Sequence, residues 1–205
     1  MKIACLTFNP IQENTYVVWD DTKECAVIDA GNSTPKEDAA LDGFLAEHGL
    51  KPVLAVNTHG HFDHVLGVEH LRKTYGIPFA LSGKDAFMLD TDAVGSTVYG
   101  VKINAMPTID IDLDKVEEVK FGHTVLRVIR TPGHTPGHTV YIAGRVMIMG
   151  DLFHGLPLQI QDLNLCADYD MDRTKAIESR NKYTLMAVHN GMMAAGMHFF
   201  GTGMV

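Results

Sequence analysis

His59, His61, Asp63 and His64 crowd into the stretch Asn57-Thr58-His59-Gly60-His61-Phe62-Asp63-His64, directly after the apolar run Val53 to Val56. Burying that many polar groups without partners is expensive, so the density itself asks for a ligand. Imidazole suits borderline metals such as zinc, and a carboxylate accepts zinc, manganese or iron, which points to a catalytic transition metal. Calcium would want mostly oxygen. In extended chain, residues two apart share a face, so His59 and His61 can meet one ion. Asp63 and His64 follow a turn toward a helix and are better placed for a second. Gly60 is expected to remove a side chain where the backbone bends sharply past the metals.

Four donors are too few for two ions, and three later segments supply more. Thr131-Pro132-Gly133-His134-Thr135-Pro136-Gly137-His138 follows the apolar alternation Val125 to Ile129 and reads as a strand entering a Gly/Pro loop. Val146-Met147-Ile148-Met149-Gly150-Asp151 is a buried-strand run with a carboxylate at its tip, where two oxygens can bridge two metals. Gly196-Met197-His198 offers one more imidazole.

Taken together, these segments resemble the metallo-β-lactamase superfamily. The residues that carry the resemblance are the H-x-H-x-D-H run at His59 to His64, His134 in its Thr-Pro-Gly-His segment, the strand-end Asp151 and the final His198. It covers nearly the whole chain and implies an α/β fold, a four-layer αβ/βα sandwich, as a single metallo-hydrolase domain over residues 1–205. It also implies a first metal on His59, His61 and His134, a second on Asp63, His64 and His198, and Asp151 bridging both. Asp29, in Val27-Ile28-Asp29-Ala30-Gly31, matches a family position that supports the site from behind. The implied cofactors are two divalent metal ions, zinc in the first place, with iron or manganese as alternatives.

Two such ions lower the pKa of bound water from ~15.7 toward ~7 and polarise a substrate carbonyl. The expected activity is therefore hydrolysis of an ester-like bond (thioester, lactone or ester) by a metal-bound hydroxide that Asp63 orients, in the manner of glyoxalase II. β-Lactamase or phosphotriesterase activity on the same scaffold is the alternative, since a fold does not fix a function. An alternative of another class is a catalytically impaired metal-binding protein with an incomplete second site. A flavodiiron-type oxidoreductase would need a further acidic ligand in the first cluster, where Phe62 stands. The amino-terminal two thirds resemble hydroxyacylglutathione-hydrolase-like members. The last third, with residues 156–170 after Asp151 and His198 in Gly-Met-His-Phe-Phe-Gly, is closer to lactonase and arylesterase-like members. Dedicated glutathione enzymes continue into a further helical region, whereas seven residues follow His198, so a truncated or recombined origin is admitted as an expectation.

Other residues receive lesser roles. His154 and Tyr169 are candidate substrate contacts, one as a proton donor and the other as an oxyanion stabiliser. His138 reads as a structural histidine that bonds a neighbouring loop, and His48, His70 and His123 as solvated. The methionines beside His198 read as apolar packing.

A net charge of -8 argues against nucleic acid as partner, and no apolar run reaches the ~18 residues of a membrane span. The start of the chain lacks a signal-peptide pattern, and the three unpaired cysteines, Cys5, Cys25 and Cys166, fit a reducing cytoplasm. The expected partner is a small-molecule substrate, with neither nucleic acid nor membrane; a homodimer is compatible with the sequence.

The pattern predicts strands at 2–7, 15–19 and 26–29, the three close enough together to favour antiparallel pairing. A capping box at Thr34-Pro35-Lys36-Glu37 starts a helix that runs to residue 48. A strand at 53–56 leads to the metal loop, with a helix at 65–74, a short strand at 78–81 and a short helix at 84–89. Residues 95–107 are expected to form a loop over the site. Strands at 117–121, 125–129, 140–142 and 146–149 and a helix at 172–187 complete the prediction.

Overall fold

The computed structural model describes residues 1–90 and 106–205, so most of the loop expected over 95–107 lies outside the described residues. Strands β1 (Lys2–Phe8), β2 (Glu13–Trp19) and β3 (Glu24–Ile28) form the expected antiparallel meander. Helix α1 (Pro35–Glu47) then carries the chain to β4 (Lys51–Val56), which pairs parallel with β3. β5 (Phe79–Leu81) and β6 (Ile111–Asp112) extend the same parallel edge, giving a six-stranded sheet in sequence order. The second sheet has the order β11-β10-β9-β8-β7. Its members are β7 (Glu118–Phe121), β8 (Thr124–Arg130), β9 (Thr139–Ala143), β10 (Val146–Ile148) and β11 (Met193–Ala195).

Strand alternation explains the layers. Successive side chains point to opposite faces of a sheet, so a fully apolar strand must be covered on both. On β2, Tyr16 and Val18 enter a core shared with Leu126, Val128, Tyr141 and Ile148 of the other sheet. Val17 and Trp19, one position out of phase, pack instead with Leu41 and Leu45 of α1 and with Val68 and Leu71 of α3 (Val68–Tyr75). On β9 and β10, Tyr141 and Ile148 face inward, while Val140, Ile142 and Met147 meet Tyr183 and Ala187 of α5 (Arg173–His189). Two sheets face to face, each backed by helices, make the expected four-layer αβ/βα sandwich. No helix among the described residues is long and apolar enough to cross a membrane.

Several local expectations shift. The helix predicted at 65–74 is two helices, α2 (Phe62–Val65) and α3, broken at Gly67. A side chain there would collide with Asn32 Oδ1, which lies 1.8 Å from where a Cβ would stand. The helix at 84–89 is a 3-10 turn over Gly83–Leu89 capped by Ser82. The capping box is only half formed. Thr34 Oγ1 accepts from the Glu37 amide at 3.3 Å, whereas the Glu37 carboxylate takes the amides of Ser33 and Asn9. β6, β11 and α4 (Leu156–Gln159) were not foreseen, since two to four residues are too few to show a period.

Leu126 is fully buried between the sheets. Leu126→Ala should cost about 2–5 kcal/mol of stability through lost transfer energy and the cavity left behind, measured as a lower urea midpoint at unchanged slope.

Candidate metal centre

The candidate donors collect along one edge of the sandwich because strands from both sheets end there. β4 runs into His59 and His61, the first turn of α2 supplies Asp63 and His64, and β8 leads to His134. β10 leads into a 3-10 turn, Gly150–Leu152, that presents Asp151, and His198 follows β11.

Three imidazole nitrogens converge first. His59 Nε2 lies 2.8 Å from His61 Nδ1, and His61 Nδ1 lies 2.9 Å from His134 Nε2. Burial holds the pKa of His59 and His134 below the usual histidine range and that of His61 at about 3. These rings are neutral, the form that ligates a metal. A second group stands beside it: Asp63 Oδ2 is 3.4 Å from His64 Nε2 and 3.7 Å from His198 Nε2. Asp151 Oδ2 lies between the groups, 3.5 Å from His134, 3.8 Å from His59, 3.5 Å from His64 and 3.2 Å from His198. Burial opposes charge on His64 and His198, yet Asp63 and Asp151 together raise the pKa of both above the ordinary value.

Donor chemistry and saturation agree with divalent cations. Among the described residues, His64 Nε2 and Asp151 Oδ1 are buried without a hydrogen-bond partner, a state that costs about 1–3 kcal/mol per group unless something satisfies it. The groups His59, His61, His134 and Asp63, His64, His198 each bring one donor atom per residue within 4.8 Å of the others, so each can close on one ion.

Behind the donors lies a layer of hydrogen bonds. Asp29 ends β3 in the left-handed region, φ 50°, and is fully buried. Its Oδ1 accepts from the Thr58 amide at 2.6 Å, and its Oδ2 accepts from Thr58 Oγ1 and lies 2.9 Å from His64 Nδ1. That contact leaves His64 Nε2 facing Asp63 and Asp151. His138 is structural, as expected. The Asp151 amide donates to its Nε2 at 2.9 Å, so the ring proton sits on Nδ1 and goes to Thr131 Oγ1 at 2.8 Å. Gly150 is required beside it, because its φ is 54° and a Cβ would lie 2.5 Å from His138 Nε2.

Three supports escaped the sequence reading. Asp170 Oδ1 lies 2.9 Å from His134 Nδ1, and its other oxygen lies 3.5 Å from the buried Arg180 guanidinium. Asp85 accepts from the Gly60 amide, from Thr135 Oγ1 and from the Gly137 amide, tying the first metal loop to the second. His198 is held from the opposite sheet: Asn14 Nδ2 donates to the carbonyls of Gly196 and Phe199, and Tyr16 Oη to those of Gly196 and Gly203. None had a spacing signal in the sequence. Gly60 also has a different reason from the one expected. Its φ lies outside the left-handed region, and a Cβ would come within 3.0–3.2 Å of Asp85 and Met88, so close packing is what disfavours a side chain here. Nor is His70 solvated. Its Nε2 lies 3.0 Å from Asp42 Oδ1. The thiols of Cys5 and Cys25 are pushed up by burial to about 11 and about 12, which leaves them unreactive.

Above the donors opens a cavity of about 510 Å³ whose lining includes His61, Asp63, Asp151, His154, Tyr169 and His198. Tyr169 is more than half exposed and meets the rings of His154 and His134 edge-on.

The sequence profile described as "Metallo-beta-lactamase superfamily" matches residues 8–187. The chain belongs to the metallo-β-lactamase superfamily. It is 27% identical to the "Probable metallo-hydrolase YqgX" of Bacillus subtilis, a match covering 97% of this chain and 87% of that protein. It is 29% identical to the "Hydroxyacylglutathione hydrolase GloC" of Haemophilus influenzae over 76% of this chain and 74% of that one. A solved structure described as TTHA1623 in a di-iron-bound form superposes with a TM-score of 0.75 at 26% identity, covering 97% of this chain and 93% of that one. The expected fold, family and metal-dependent hydrolase class are borne out by these matches, and the groups of histidine and aspartate fit divalent metals.

Asp170 generates a prediction. Asp170→Asn removes the carboxylate behind His134, so the affinity of the first ion should fall about 10–100-fold, measured by chelator competition with circular dichroism unchanged.

Proposed function

We propose that this superfamily member is a binuclear hydrolase of an ester-like bond, with His59, His61 and His134 on one ion, Asp63, His64 and His198 on the other, and Asp151 shared. The observation that carries this reading is the single buried oxygen, Asp151 Oδ2, within 3.8 Å of imidazole nitrogens from both groups. When bound, two divalent ions supply an activated water and an electrophile for the scissile carbonyl. Asp63 lines the cavity beside His64 and His198, so with the ions bound its carboxylate would orient the attacking water and take up its proton. Asp29 and Asp170 keep His64 and His134 in fixed ring orientations, so catalysis needs little reorganisation at the moment of reaction. We place the enzyme in the cytoplasm, on its free thiols.

The cavity favours a substrate with an apolar arm. Phe62, Phe87, Met88, Met171, Phe199 and Phe200 make its wall, and Phe200 is 77% exposed at its mouth. Among the described lining residues the carboxylates are Asp63 and Asp151, both turned to the donor groups. Such a wall gains from burying methylenes, at ~0.8 kcal/mol each, or about fourfold in binding per group reached. A glutathione thioester is the second reading, favoured by the similarity to GloC.

One panel separates them. Two-metal protein should hydrolyse p-nitrophenyl octanoate with a kcat/KM about tenfold or more above that for the acetate, and above that for S-D-lactoylglutathione. Preference for the thioester would select the second reading. Hydrolysis of none of these would sink the hydrolase assignment. Asp63→Asn should lower kcat about 100-fold or more in every case where wild type is active, with the melting curve of the metal-free protein unchanged.

A further inference from the structure

His154 stands three residues beyond Asp151, and its side chain is only 9% exposed. Among the described residues neither ring nitrogen has a hydrogen-bond partner, Asp151 Oδ2 at 3.3 Å from Nε2 being the nearby carboxylate oxygen. A buried imidazole with unsatisfied nitrogens is unfavourable. The main chain around it is deliberately anchored. Gln159 Oε1 accepts the amides of His154 and Gly155 at 2.8 and 3.0 Å, and Gln159 Nε2 donates to Leu165 O at 2.9 Å. The ring is therefore presented by a built turn rather than left over from one.

Where it is presented is informative. His154 Nε2 lies 3.3 Å from Asp151 Oδ2, inside the 3.2–3.8 Å range that separates the same oxygen from His198, His64, His134 and His59. By distance to the shared carboxylate, His154 is indistinguishable from the other imidazoles. Its ring centroid is 4.6 Å from that of His134 and 6.0 Å from that of His198. His134, Asp151 and His154 bring donor atoms within 4.8 Å of one another, and His134 belongs to the first group.

We propose that His154 is an eighth ligand of the metal pair, joining His59, His61 and His134 on the first ion. The assignment rests on the two-metal reading above. It changes the metal chemistry of that position. Four imidazoles and a shared carboxylate make five donors, one more than the tetrahedral shell usual for zinc, and suit a five- or six-coordinate ion such as iron or manganese.

Cobalt(II) titration of metal-free wild type, His154→Gln and His154→Phe tests it, the last variant keeping ring packing without a donor. Both variants should take up the first cobalt about tenfold or more weakly than wild type in chelator competition. Their visible absorption should intensify as the first ion drops from five or six ligands toward four. Unchanged affinity and an unchanged spectrum in both variants would overturn the assignment. A lowered kcat with those two readouts unchanged would also overturn it, making His154 a substrate contact and leaving the hydrolase reading intact. Wild type that takes up only one cobalt would overturn the two-metal reading and this assignment with it. Circular dichroism melting of the metal-free proteins identifies a variant that fails by unfolding.

Discussion

Asp151 Oδ2 is the point on which the edge of this sandwich depends. Five imidazole nitrogens, from His59, His64, His134, His154 and His198, stand within 3.8 Å of it. They arrive from strands of both sheets, so the relative placement of the sheets becomes a matter of fractions of an ångström. Shared apolar burial alone, as between Tyr16 and Tyr141, sets that placement only loosely, because it is non-directional. Directional bonds finish it. Tyr141 Oη donates to Asn57 O at the end of the opposite sheet's β4, and Tyr16 Oη donates to the segment that carries His198. Each core tyrosine thus packs its ring between the sheets and spends its hydroxyl on the far sheet's metal loop.

The loops are fixed to one another in the same directional way. Asp85 collects donors from both metal loops, and Asp170 connects His134 to the buried Arg180 of α5. Arg180 also donates to the carbonyls of Leu152, Leu163 and Leu165, which stitches the segment after Asp151 onto the helix. A carboxylate buried among backbone amides and a guanidinium is costly in isolation and rigid once satisfied, and rigidity is what a ligand loop needs.

That these residues would converge was legible in the sequence because their signal is local: a dense run such as His59 to His64, or an aspartate at the tip of an apolar strand, needs no knowledge of what packs against it. The layers were legible only through the family resemblance that these residues carry. The supports had no such signal. Asp85 reaches Gly137 across 52 positions and Asn14 reaches Phe199 across 185, and a lone acidic or amide residue in a helix or strand looks the same whether or not it has a distant partner. His70 shows the converse error. A histidine on an exposed-looking helix face is half-buried because Asp42 of the neighbouring helix happens to meet it. Gly60 shows a third kind, where the residue was singled out and its neighbour, the Gly83–Leu89 turn, was needed to say why.

Charge explains why such a site belongs to the folded, loaded state. Asp29, Asp63, Asp85, Asp151 and Glu13 are all buried close to the donors, in a chain whose net charge is already -8. Burial pushes the Glu13 carboxyl well above the usual carboxylate range, and the neighbouring Asp29 and Asp63 push it the same way. Asp63 and Asp151 move oppositely: burial disfavours their charge, but the surrounding imidazoles hold both carboxylates below the ordinary value. The shifts therefore separate by position: burial raises Glu13, Asp29 and Asp85 behind the histidines, while the imidazoles lower Asp63 and Asp151 that face them. Divalent cations bound to such an arrangement relieve repulsion that the fold otherwise carries. Binding free energy at this edge is then also folding free energy, present only while the strands from both sheets remain in place.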